Sequence, residues 1–94
     1  MQISNFIKTM STAVQIQLTA TTSIFCKSIL VQASSGNTAF VAVGGSSMTS
    51  GIGVQLLAGD SIIFNSEVER VQFHQIYAEG SNGDTIRIQT VRGA

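Results

Sequence analysis

From Val14 to the C-terminus, short alternating apolar runs are each closed by Gly, Asn, Ser or Asp. Val14, Ile16 and Leu18 share one parity against Gln15, Gln17 and Thr19. That period of two predicts a strand over 14–20, because successive side chains of an extended chain point to opposite faces. The runs 27–33 and 38–43 are apolar at both parities, as in central strands, and Ser34-Ser35-Gly36-Asn37 between them reads as a hairpin connection. Short strands over 52–57 and 61–64 flank Ala58-Gly59-Asp60, a tight turn whose glycine tolerates positive φ. The longest pair, 70–78 and 84–91, is linked through Asn82-Gly83, a strong hairpin signal. Val71 and Phe73 share a parity opposite to that of Ile76 and Ala78, so a bulge or twist near His74-Gln75 would keep both pairs inward.

About seven strands with no long helical stretch predict an all-β fold: one antiparallel β-sandwich, or a jelly-roll-like small barrel, over 14–94. Leu18, Val31, Val41, Leu56, Phe64, Val71, Phe73, Ile86 and Ile88 are the expected core. Residues 1–13 follow another rhythm. Ile3, Phe6, Ile7, Met10 and Val14 fall at helical spacing, on a segment too short to be a stable helix alone. The expectation is an N-terminal arm over 1–13 that is either a frayed tail or ordered on a neighbouring subunit, with Ile3, Phe6, Ile7 and Met10 as its inter-subunit contacts.

Composition sharpens the idea of contact. At 94 residues there is room for one core, yet 44% of the chain is apolar and only 11% is charged. Part of that apolar surface is expected to meet another chain. Five basic residues balance five acidic ones, so no charged patch steers nucleic acid. The apolar stretches are far shorter than the roughly 18 residues of a membrane span, and MQISNFIKTM lacks the apolar core of a signal peptide. The expectation is no membrane partner and synthesis in the cytoplasm without secretion.

Candidate chemistry is sparse. Cys26 has no partner for an internal disulfide and reads as a small buried hydrophobe. Gly44-Gly45-Ser46-Ser47 is followed by neither a Lys nor a helix, which argues against a phosphate loop. Leu57-Ala58-Gly59-Asp60-Ser61 is similar to a turn of cupin barrels, but with His74 alone a several-histidine metal site cannot be built. Glu67 and Glu69 share a face that Arg70 and Arg87 could answer as surface ion pairs. No catalytic residue, metal site or cofactor is therefore expected, and the chain is read as a non-enzyme.

The order of motifs carries a resemblance over roughly 16–91. Gln17-Leu18-Thr19-Ala20-Thr21 is followed by Cys26-Lys27-Ser28 leading into Val31-Gln32-Ala33, and by Gly36-Asn37-Thr38 leading into Val41-Ala42-Val43-Gly44. After these come Gly51 to Leu57-Ala58-Gly59-Asp60-Ser61, Ile76-Tyr77-Ala78, and Gly83-Asp84 before the last strand. The series resembles small virion proteins of tailed bacteriophages, of the capsid cement (decoration) and head or neck accessory type. The resemblance implies a β-sandwich in the virion that binds the major capsid protein or another virion protein and stabilises the assembled shell, as a homo-oligomer and most readily a trimer. A tail, neck or fibre component is the alternative. A carbohydrate-binding module fits less well, because the chain has no Trp and one Tyr.

Overall fold

A computed structural model describes residues 2–11, 15–19, 25–45, 53–65 and 71–92. They form ten strands and one 3-10 turn, with no α-helix among them. In chain order the strands are β1 (Gln2–Thr9), β2 (Ile16–Gln17), β3 (Phe25–Cys26), β4 (Ser28–Ala33) and β5 (Val41–Gly44), then β6 (Val54–Leu56), β7 (Ser61–Asn65), β8 (Val71–Gln72), β9 (Tyr77–Glu79) and β10 (Thr85–Arg92). Two four-stranded antiparallel sheets, ordered β1-β10-β4-β7 and β2-β9-β5-β6, face each other across the core, and β3 pairs with β8. The fold is a small β-sandwich. Each sheet ends in strands that pair on one side only among the described residues, so the barrel alternative does not hold.

Period-two patterning builds the inner faces. In β10, Ile86, Ile88 and Thr90 are buried while Arg87 and Gln89 are exposed, and in β4 the buried positions are Ile29, Val31 and Ala33. The opposing sheet contributes Val41, Val43, Leu56 and Ala78. Of the nine expected core residues seven are buried, and Phe64 and Val71 pack against the core from partly exposed positions. The parity change between Val71 and Ile76 is absorbed by a 3-10 turn at Phe73–Gln75, which buries Phe73 and Ile76.

Three connections that read as hairpins or tight turns within one sheet instead cross between the sheets. β4 and β5, joined through Ser34-Ser35-Gly36-Asn37, lie in opposite sheets, as do β6 and β7 around Ala58-Gly59 and β9 and β10 around Asn82-Gly83. The turn at Asn82-Gly83 is real: Gly83 has φ +90° and the Asp84 N–H donates to the Ser81 carbonyl at 3.1 Å. Its strands nonetheless take other partners, β9 lying between β2 and β5 and β10 between β1 and β4. Alternation marks which face of a strand is buried, whereas the partner is chosen by how the two apolar faces stack.

The crossings are stitched together by side chains. The buried Asp84 carboxylate accepts the Thr38 N–H at 3.0 Å and the Thr38 hydroxyl at 3.2 Å on one oxygen, and the Ala39 N–H at 3.1 Å on the other. The Asn37 amide mimics a strand partner for Thr85, donating to its carbonyl and accepting its N–H, both at 2.9 Å. Gly59 N–H donates to the Ala33 carbonyl at 2.9 Å, fastening the β6–β7 crossing to the end of β4.

The N-terminal segment departs most from expectation. Over 2–9 it is neither helix nor loose arm but an extended strand, paired with β10 at every position from Gln2↔Arg92 to Thr9↔Thr85. A lone short helix in water is marginal, while a strand gains a complete ladder on β10. Met10, expected as an inter-subunit contact, is 0% exposed in its own chain's core. Its N–H donates to the Asp84 carbonyl at 2.7 Å and its carbonyl accepts the Gly83 N–H at 3.1 Å.

Candidate functional site: the outer face of the first sheet

Strand β1 sorts the remaining N-terminal candidates by parity. Phe6 stands in the row of Ile88, Val31 and Ile62 and turns toward the core side, where its ring lies 5.7 Å from the buried Phe73 ring at 48°. Ile3 and Ile7 have the other parity and stand on the outer face, 55% and 68% exposed. Cross-strand register lines that face with three rows: Ile7, Arg87, Gln32 and Ser61; Asn5, Gln89, Leu30 and Ile63; and Ile3, Val91, Ser28 and Asn65. Ile63 is 59% exposed.

Between these rows lies an open depression of about 620 Å³ lined by Asn5, Phe6, Ile7, Leu30, Gln32, Arg87, Ile88 and Gln89. Among the described residues Arg87 is the only charged one that lines it. The Gln89 amide donates to the Asn5 side-chain carbonyl at 3.3 Å, and the Gln32 amide to the Gly59 carbonyl at 3.4 Å. On the outer face Ile7 and Leu30 stand among three amides and one guanidinium, a mixture that suits contact with a protein surface, where apolar area supplies affinity and polar groups orient the partner.

The chemically versatile groups do not converge. Cys26 is wholly buried, and burial pushes its thiol above the ordinary value, countered only partly by Arg92. Such a thiol is a poor nucleophile. The Asp84 carboxyl is held below the ordinary aspartate value, chiefly by the Thr38 N–H, with desolvation opposing and the Ala39 N–H and Thr38 hydroxyl adding to the effect. Its lone pairs are committed to the corner. His74 falls in the 3-10 turn, its side chain outside what is described, and Glu67, Glu69 and Arg70 lie outside the described residues. Among the described residues no three His, Cys, Asp or Glu approach closely enough to hold a metal, and no helix is long and apolar enough to cross a membrane.

The structure thus places Ile3 and Ile7 together on one exposed face, sets Phe6 at its inner edge and removes Met10 to the core. Leu30, Ile63 and Gln89 join the face unheralded by the sequence pattern. The outward parity of Gln89 is legible, whereas the run holding Leu30 is apolar at both parities, and alternation does not show that these strands adjoin β1. No protein-family model matches the chain, and neither a curated protein nor a solved structure does.

Proposed function

We propose that this chain is a non-enzymatic structural protein of a tailed-phage virion that binds the major capsid protein, or another virion protein, and stabilises the assembled shell. The observation that carries the reading is the outer face of the β1-β10-β4-β7 sheet, with Ile3, Ile7 and Ile63 all more than half exposed on a fully laddered support. A rigid sheet presents such residues without first ordering them, so little of the contact energy is lost to conformational entropy. The motif order over 16–91 supplies the virion context. A protein that binds the assembled shell and not its free subunits favours the shell by RT ln(1 + [L]/Kd), about 2.7 kcal/mol per site at a hundredfold excess over Kd.

The test is made on purified particles of a phage encoding this chain. Quantitative mass spectrometry should find many copies per particle, and particles lacking the chain should lose DNA at a lower temperature until purified protein is added back. Absence of the chain from purified particles would overturn the reading. Labelling confined to the neck or tail would move the protein to that station, the alternative expected from the same resemblance.

A further inference from the structure

We infer that β1 is a self-association strand whose free edge pairs antiparallel with β1 of a second copy, about a two-fold axis at Asn5, joining two four-stranded sheets into one of eight. This inference stands apart from the virion reading, and either can fail without the other.

Which main-chain groups face the edge follows from the ladder within the chain. The Met10 N–H donates to the Asp84 carbonyl in the same register that pairs Lys8 with Ile86 and Phe6 with Ile88. Antiparallel ladders alternate, so Lys8, Phe6 and Ser4 exchange their hydrogen bonds with β10. The Ser34 N–H donates to the Thr85 carbonyl at 3.1 Å, which agrees: odd-numbered residues of β10 turn to β4 instead. Ile3, Asn5 and Ile7 therefore direct their N–H and C=O groups to the free edge, where no strand pairs among the described residues.

Those residues also carry the exposed outer-face side chains. A two-fold axis perpendicular to the sheet keeps outer face beside outer face and matches odd residues with odd. With Asn5 opposite Asn5 of the second copy, Ile3 falls opposite Ile7 in both directions. Three pairs each exchange two main-chain hydrogen bonds, and directly opposed Cβ atoms lie about 4.5 to 5.5 Å apart, within contact for isoleucines. Moving the axis to Phe6 sets Ile7 against Asn5 and Ile3 against Thr9, leaving both isoleucines beside polar groups.

Edge strands of monomers are commonly blunted by Pro, a bulge or charges, whether outward or inward. Of these β1 carries only one charge, Lys8 at a core-side parity, which the register about Asn5 sets opposite Gln2 at the end of the ladder and outside the three pairs; the strand pairs without a break over eight residues and contains no Pro. A net charge of zero puts no long-range repulsion between copies. The resulting symmetry is two-fold, where the resemblance leads to the expectation of a trimer.

Sedimentation equilibrium of the full chain from micromolar to submillimolar concentration should fit a monomer–dimer scheme. Ile7→Lys, at an exposed position, should keep the far-UV spectrum and raise the dimer dissociation constant by about tenfold, as expected when both Ile3–Ile7 cross-strand pairs of the dimer are replaced by a charge beside isoleucine. Asn5→Cys should form an intermolecular disulfide on mild oxidation, since its two Cα atoms would lie near 5.5 Å apart while Cys26 is buried. A monomer or trimer at every concentration, a dimer indifferent to Ile7→Lys, or a dimer in which Asn5→Cys does not cross-link would overturn the inference.

Discussion

Replacing Met10 by Ala tests whether the N-terminal strand belongs to the core or hangs beside it. Met10 is wholly buried at the end of β1, pinned through both main-chain polar groups to the Gly83-Asp84 corner. Its side chain occupies space left by a glycine: a Cβ built on Gly80 would lie 3.0 Å from Met10 Cγ and 3.1 Å from Val41 Cγ2. Truncating a buried Met to Ala costs about 2 to 5 kcal/mol, the spread reflecting how far the cavity collapses. Against a total stability of about 5 to 14 kcal/mol for a domain of this size, that is a large fraction. It corresponds to a fall in Tm of roughly 10 to 30 °C. The assay is thermal unfolding by far-UV circular dichroism, beside Leu57→Ala at a 62% exposed position, which should move stability by no more than about 0.5 kcal/mol. A companion substitution sharpens the result. Gly80→Ala alone crowds Met10 and Val41 and should cost about 1 to 3 kcal/mol, but in the Met10→Ala background the new methyl enters the vacated space and the cost should shrink or reverse. A Tm change below about 4 °C for Met10→Ala, or strict additivity in the double variant, would refute the placement of Met10 and with it the integration of β1.

Gly83 has φ +90° with nothing within 4 Å of its would-be Cβ, so Gly83→Val should destabilise through backbone strain of at least about 1 to 2 kcal/mol while Gly36→Ala, without that φ, stays near neutral in urea melts. The depressed pKa of Asp84 adds stability that is fully present above the ordinary aspartate range and is lost as pH falls through the lower, folded value. Asp84→Asn should therefore flatten the acid limb of a stability–pH curve, and an unchanged limb would show that the Asp84 corner does not contribute to it. Cys26, buried and with a raised pKa, should react with a thiol reagent only as fast as the chain unfolds; rapid labelling of native protein would contradict its burial.

Much of this architecture is written in local chemistry. The all-β class and the strands at 28–33, 41–44, 61–65 and 85–92 follow from short apolar runs closed by turn residues, and the buried parity of Ile86 and Ile88 follows from alternation, because a pleated chain must turn every second side chain the same way. The positions of the turns at Gly59 and Gly83 follow as well, since positive φ there selects glycine. Even the parity change between Phe73 and Ile76 announces a local irregularity, realised as a 3-10 turn. Pairing is another matter. Asn82-Gly83 reads as a hairpin from its own two residues, yet Asn37 and Asp84, 47 positions apart in sequence, help turn it into a crossing between sheets. The N-terminal residues show the same limit. Spacings of three and four between Ile3, Phe6, Ile7 and Met10 are compatible with a helix, but a strand at the edge of β10 meets every position with a ladder partner and sends Ile3 and Ile7 outward while Met10 closes the core. Local periodicity records which side chains avoid water; only the assembled sandwich determines which strand edges satisfy each other, and hence which apolar residues are left facing out.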